Sequence, residues 1–312
     1  MFLLFEIISS SSVGLGLFLL GLNFFTEGLE HFISERFKYV LVNLKAHPLL
    51  GVLAGCMLTG ILQSSSATMI ILVGFVQADL LTLYQATPII MGVNIGTTVT
   101  SQLIAFNIGK YSFVLFLTSV LISLVTKNKK KRHIGEVLMG FSLVFIGIEL
   151  LTKGLAPLKD MLALQQILKQ FGSTPIFGIL MGFSAISILQ SSSTGIAILQ
   201  TLASTGSISV YSAVSIMLGM NVGTCVTAII SSLPFSKSAR QTAFIHLLFN
   251  IAGLILVFPF INLLCKISIY LSPLNLSRQI ANAHTIFNVF STLIFLPFTK
   301  VFVNIIQWII RR

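Results

Sequence analysis

Gln63-Ser64-Ser65-Ser66 and Gln190-Ser191-Ser192-Ser193 are the residues best placed to do chemistry, because each tetrapeptide stands in the middle of apolar sequence. Four polar side chains in a row are costly in hydrocarbon unless partners satisfy them. A serine bonded back to the preceding helical turn would satisfy one hydroxyl. Two copies in register, flanked by Gly55 and Gly60 or by Gly178 and Gly182, point instead to a broken helix or hairpin tip facing a cavity. There, half-helix N-termini direct N–H groups and a positive dipole end at an anion. Freed carbonyls and hydroxyls coordinate a small hard cation such as sodium. Such a site handles an oxyanion and cations together and needs neither arginine nor carboxylate.

A second element lies downstream of each tetrapeptide. Gly92-Val-Asn94-Ile-Gly96-Thr97-Thr98-Val-Thr100 returns as Gly219-Met-Asn221-Val-Gly223-Thr224-Cys225-Val-Thr227. Its glycines permit close backbone approach and its threonines supply hydroxyls; packing of small residues between membrane helices explains the same pattern. Proximity to the serines decides between the two.

These elements belong to an internal duplication. Residues 51–100 align without a gap onto 178–227, and upstream Gly14, Gly21, Thr26, Gly28 and Leu29 recur as Gly140, Gly147, Thr152, Gly154 and Leu155. Each repeat reads as a leading helix, a Gly-rich segment ending in the tetrapeptide, a second apolar segment and a helix carrying Asn-x-Gly-Thr. If the segments flanking Gln-Ser-Ser-Ser dip in and return, three crossings remain between Gly14 and Gly140, near 13–30, 87–105 and 112–126. That odd number inverts the second copy. The expected division is 1–132 for the first membrane repeat, 133–264 for the second and 265–312 for C-terminal membrane helices.

Composition sets the solvent. Only 9% of the 312 residues are charged and 55% are hydrophobic, with a mean hydropathy of +0.99, so the chain reads as an all-α polytopic membrane protein. The net charge of +11 comes from basic residues that are scattered or sit at span ends, which argues against a nucleic-acid partner. The densest run is Lys127, Lys129, Lys130, Lys131 and Arg132, which assigns this loop to the cytoplasm. Cys56, Cys225 and Cys265 are isolated and give neither a disulfide framework nor metal spacing. The N-terminal stretch has no Lys or Arg before Arg36 and carries Glu6, so it lacks the basic region of a cleavable signal peptide. Residues 161–312 contain no acid, so no carboxylate chemistry is available there; Glu27 and Glu149, set within apolar helices, read as solvated or Lys-paired.

The doubled pattern resembles the type II sodium-dependent phosphate cotransporter family, in its bacterial-type form, over roughly residues 14–290. The resemblance implies two inverted repeats, each with a re-entrant helical hairpin whose tip meets the other near the midplane, and alternating access. It implies phosphate on Gln63, Ser64, Ser65, Ser66, Gln190, Ser191, Ser192 and Ser193. Sodium, the coupling ion, is expected on Ser66, Thr68, Asn94, Thr97, Thr98, Ser193, Thr194, Asn221 and Thr224, with no other cofactor and no transition metal. The expected function is sodium-coupled phosphate symport across the cell membrane, with no enzymatic activity. The alternatives are proton coupling or another small anion. A membrane-embedded serine hydrolase based on His246 or His284 lacks an acidic orienter after Asp160.

Two further features bear on the resemblance. Arg240-Gln241-x-Ala243-x-x-His246-x-x-Phe249-Asn250 recurs as Arg278-Gln279-x-Ala281-x-x-His284-x-x-Phe287-Asn288, with His and Asn on one helix face, and reads as structural hydrogen bonding. Segment 110–135 has no such element, and no acid occurs between Asp79 and Glu136, which makes an electroneutral cycle plausible. The chain ends at Arg311-Arg312 after an apolar span, so a PhoU-like regulator would be a separate partner; a homodimer is the other protein assembly expected.

Overall fold

The computed structural model describes residues 2–30, 47–106, 109–126, 128–161 and 174–311. Lys127 of the basic run lies outside them. Among the described residues every regular element is helical. Among the described residues, five helical stretches are long and apolar enough to cross a membrane.

Large apolar side chains lie on the outside as well as in the core. Leu124 and Ile188 are 78% and 80% exposed, while Gln63, Asn94, Asn221, His246 and His284 are buried. An apolar perimeter with polar groups kept inside is what a hydrocarbon solvent selects, since each buried polar group must find a partner within the protein.

Helix α1 (Phe2–Glu30) packs against α6 (Lys129–Leu155) in antiparallel fashion, with Gly14 beside the Gly147 carbonyl and Gly28 beside Val137. Between them come α2 (Pro48–Leu62), α3 (Ser65–Gln77), α4 (Leu83–Ile104) and α5 (Gly109–Val125). The direction of α2 follows from its register on α4. Gly51 meets Pro88 and Cys56 meets Gly96, so the two helices run parallel. A Cβ at Gly96 would stand 2.6 Å from the Cys56 carbonyl oxygen, which is why the close approach requires glycine there. Parallel α2 and α4 force α3 to run back between them, so α2 and α3 form a hairpin that enters and returns. At 15 residues α2 is roughly 22 Å long, short of the ~30 Å hydrocarbon core.

The second repeat builds the same unit. Helices α7 (Pro175–Leu189) and α8 (Ser192–Ser204) form the hairpin, and α9 (Val210–Gly223) with α10 (Cys225–Ser232) forms the crossing helix. Gly178 meets Ser215 and Gly223 meets Phe183, so α7 and α9 are parallel as α2 and α4 are. The two units face opposite ways. Ser193 reaches Gln63 while Gln200 reaches Ser101, and Ile104 and Ala105 share a cavity with Thr201 and Ser204. So α8, the returning arm of the second hairpin, runs parallel to α4, the crossing helix of the first. The repeats are inverted.

Two kinked helices complete the interior. Helix α11 (Lys237–Val257) bends at Phe258–Phe260 into α12 (Ile261–Leu271), and α13 (Leu276–Phe295) bends at Leu296–Phe298 into α14 (Thr299–Ile309). Each bend carries a proline, Pro259 and Pro297, where the lost N–H interrupts the helical ladder. Both helices pack on α4 and on α9, whereas α5 packs against α6.

Candidate functional site

The tetrapeptides make the hairpin tips by one local device used twice. Gln63 and Gln190 end α2 and α7 in the left-handed conformation, with φ of 49° and 52°. Ser64 and Ser191 are extended and cap α3 and α8, their Oγ atoms accepting from the N–H of Ala67 at 3.2 Å and of Thr194 at 3.3 Å. A left-handed C-cap followed directly by an N-cap reverses the chain in two residues. The first glutamine and first serine of the motif are thus the turn itself.

The two tips touch. Ser193 Oγ donates to the Gln63 carbonyl at 3.1 Å. Around that contact lies a cavity of about 240 Å3, lined on the tips by Leu62, Gln63, Ser64, Ser66 and Gln190–Ser193 and on α1 by Leu19, Leu22, Asn23, Thr26 and Glu27. The N-termini of α3 and α8 both open on it, so two positive dipole ends converge where no lysine or arginine among the described residues lines the wall. Among the described residues Glu27 is the one charged residue lining it. At ~30 Å3 per water, there is room for an oxyanion with several waters.

The tips are unequal. Gln63 is buried, its Nε2 donating to the Gly60 carbonyl and its Oε1 accepting from Thr100 Oγ1 at 2.8 Å. Gln190 is exposed. Ser65 lies behind its tip, buried with its Oγ unpartnered, and does not line the cavity; its repeat counterpart Ser192 does.

A cavity of about 20 Å3 adjoins the tips, lined by Thr97, Thr100, Ser192, Ser193, Asn221, Thr224 and His284 among others. That is the size for one small ion or water. Thr97 Oγ1 donates to the Val93 carbonyl at 3.0 Å and Thr224 Oγ1 to the Asn221 carbonyl at 2.7 Å. With each hydroxyl hydrogen turned back onto its helix, only oxygen lone pairs remain to face the cavity, the presentation a cation needs. Among the nine expected sodium ligands, Ser66 and Ser193 reach the tip cavity, and Thr97, Ser193, Asn221 and Thr224 the small one. Thr68, Asn94, Thr98 and Thr194 line neither.

The two asparagines are held by histidines on α11 and α13. His246 Nε2 donates to Asn94 Oδ1 at 3.2 Å, and His284 Nε2 donates to Asn221 Oδ1 at 3.3 Å. Asn221 Nδ2 also donates to Asn250 Oδ1 at 2.8 Å and Asn288 Oδ1 at 3.0 Å. Asn250 and Asn288 each donate to the carbonyl of the histidine one turn before, both at 2.9 Å. The repeated His-x-x-Phe-Asn element is therefore the clamp on Asn-x-Gly-Thr. Among the described residues no group of histidines, cysteines and acids is placed to hold a metal ion.

The Na+/Pi-cotransporter family matches this sequence twice, over residues 17–153 and 150–277. The chain belongs to the Na+/Pi-cotransporter family. It is 33% identical over 256 residues to "Uncharacterized protein YqeW" of Bacillus subtilis, covering 82% of this chain and 83% of that one. It is 26% identical over 246 residues to "Putative inorganic phosphate export protein YjbB" of Escherichia coli, covering 79% of this chain but 45% of the relative. A short stretch of 63 residues, 20% of this chain and 9% of the relative, is 44% identical to sodium-dependent phosphate transport protein 2B of Homo sapiens. No solved structure matches the chain. Family and helices together make it an integral membrane protein of phosphate transport.

Sequence reasoning missed the α1 wall of the tip cavity and the Thr100 anchor. Both carried a signal: Thr26 recurs as Thr152, and Thr100 recurs as Thr227.

Proposed function

We propose that the chain is a secondary active transporter that carries inorganic phosphate together with sodium by alternating access, and that it has no enzymatic activity. One observation carries the reading: two inverted hairpin tips bring two helix N-termini and a set of hydroxyls onto one 240 Å3 cavity whose lining, among the described residues, includes no cationic side chain. Phosphate binds there on Ser64, Ser66, Gln190, Ser191, Ser192 and Ser193, with Gln63 and Ser65 bracing the first tip. Sodium binds in the adjoining cavity on Thr97, Ser193, Asn221 and Thr224, where acceptor oxygens converge. The basic turn that includes Lys129–Arg132 faces the cytoplasm of the cell membrane. The repeat division at 132 and 264 describes the two hairpin units, with α13 and α14 serving both; a homodimer and a separate PhoU-like protein are the expected partners.

Uptake of radiolabelled phosphate into proteoliposomes tests this. An inward sodium gradient should drive accumulation that arsenate competes away and sulfate does not. Uptake indifferent to sodium but driven by a proton gradient would replace the coupling ion, and sulfate competition would replace the anion. The name of the Escherichia coli relative motivates a second reading of direction, in which the physiological flux is export. Inside-out vesicles loaded from the cytoplasmic face separate the two.

A further inference from the structure

A cavity of about 780 Å3 lies apart from the tip site, lined by Phe145, Glu149 and Thr152 of α6, Gln200 and Thr201 of α8, and Ile104 at the end of α4. It opens on the face where α4 and α8 end, opposite the turn that joins α5 to α6. Its inner wall is a directed chain of hydrogen bonds. Gln200 Nε2 donates to the Ser101 carbonyl at 3.1 Å and to Ser101 Oγ at 3.3 Å. Because His284 Nε2 donates to Asn221, its Nδ1 accepts, and Ser101 Oγ donates to it at 3.2 Å. Behind that wall lies the small cavity lined by Thr97, Ser193, Ile196 and His284.

The repeat supplies the comparison. Aligned on the duplication, Gln200 corresponds to Val73 and Ser101 to Ala228, and His284 corresponds to His246 in the doubled His-x-x-Phe-Asn element. Val73 and Ala228 are fully buried in one apolar cluster, and His246 Nδ1 has no hydrogen-bond partner. So the same three positions are a polar chain on one side of the site and an apolar plug on the other. On the polar side Gln200 Oε1 and Thr201 Oγ1 also lack protein partners, although these residues are only 1% and 2% exposed and line the large cavity. A hydrogen-bonded wall beside water opens by exchanging its bonds for water at little cost, whereas an apolar constriction closes by dewetting.

We propose that Gln200, Ser101 and His284 form the gate between an aqueous approach cavity and the tip site, and that Val73, Ala228 and His246 form its apolar counterpart toward the other face. The proposal rests on the transport reading and adds which residues bar each side.

The full chain in proteoliposomes is treated with a charged, membrane-impermeant thiol reagent on either face, and labelling is read by site-resolved mass spectrometry, so that Cys56, Cys225 and Cys265 are counted separately. Thr201→Cys probes the approach cavity and Ile196→Cys the space behind the gate. Thr201→Cys should react about thirtyfold faster than Ile196→Cys, the factor two hydrogen bonds carry, and Gln200→Ala should bring Ile196→Cys to within about threefold of it. Gln200→Asn, which keeps an amide, should leave the barrier largely in place. Equal rates in the native background, or no acceleration by Gln200→Ala, overturns the gate. If Gln200→Ala fails to fold, Ser101→Ala breaks the same chain at its middle link. Labelling requires neither sodium nor phosphate, so a chain that takes up no phosphate refutes the transport reading while the labelling ratio still decides the gate.

Discussion

Replacing Thr100 by valine removes one atom's worth of chemistry and keeps the side chain's shape. In the native tip Thr100 Oγ1 donates to Gln63 Oε1 at 2.8 Å, and Gln63 is 6% exposed, so valine takes the amide oxygen's protein partner from a largely buried side chain. A buried acceptor left unsatisfied costs about 1–3 kcal/mol, which is roughly 5- to 150-fold in the population of the ordered tip. If that tip is the binding-competent state, the apparent affinity falls by the same factor. Thr100→Val should therefore raise KM for phosphate about tenfold in sodium-driven uptake while Vmax stays within about twofold, and Thr100→Ser should behave as wild type. The repeat provides an internal control. Gln190 is exposed to the cavity, so Thr227→Val should change KM by no more than about twofold. Equal effects of Thr100→Val and Thr227→Val, or an unchanged KM in a correctly folded Thr100→Val protein, would refute the reasoning.

Other outcomes follow from the same geometry. Gly96→Ala would place a Cβ 2.6 Å from the Cys56 carbonyl oxygen. It should destabilise the chain by at least about 2 kcal/mol, read as a lower melting temperature in detergent. Ser193→Ala removes a 3.1 Å bond between the tips and should cut uptake about fivefold while lowering melting by no more than about 4 °C, at ~1 kcal/mol for one hydrogen bond. Glu27 is an exposed carboxylate on the tip cavity. Glu27→Gln should raise KM for sodium about two- to fivefold at low ionic strength and less in high salt, as screened Coulomb attraction requires.

The duplication, the hairpins and their opposite orientation were legible in the sequence because they rest on periodicity and parity: a repeated polar block too short for a span, and an odd number of crossings between copies. The turn device inside Gln-Ser-Ser-Ser was not. A glutamine in the left-handed region is uncommon outside glycine, asparagine and aspartate, so nothing in its identity announces Gln63 and Gln190 as C-caps. Glu149 accepts from Lys153 Nζ at 2.7 Å and Glu27 is exposed, in keeping with the solvated or Lys-paired reading of both, but that Glu27 lines the tip cavity was not legible. Which face α1 turns inward depends on a helix pair packed through Gly14 and Gly28, and hydropathy alone does not rotate an apolar helix about its axis. The histidine clamps were visible as a repeated motif but their partners were not, since His246 and Asn94 lie 152 residues apart.

The central claim is that the anion sits between the two tips. Crystals of the chain grown in sodium and arsenate, a phosphate analogue with a usable anomalous edge, test it in one map. An arsenic peak within hydrogen-bond reach of Ser66 and Ser193, in line with the N-termini of α3 and α8, is the predicted result. A peak elsewhere in the molecule, with the tip cavity holding only water, would contradict it.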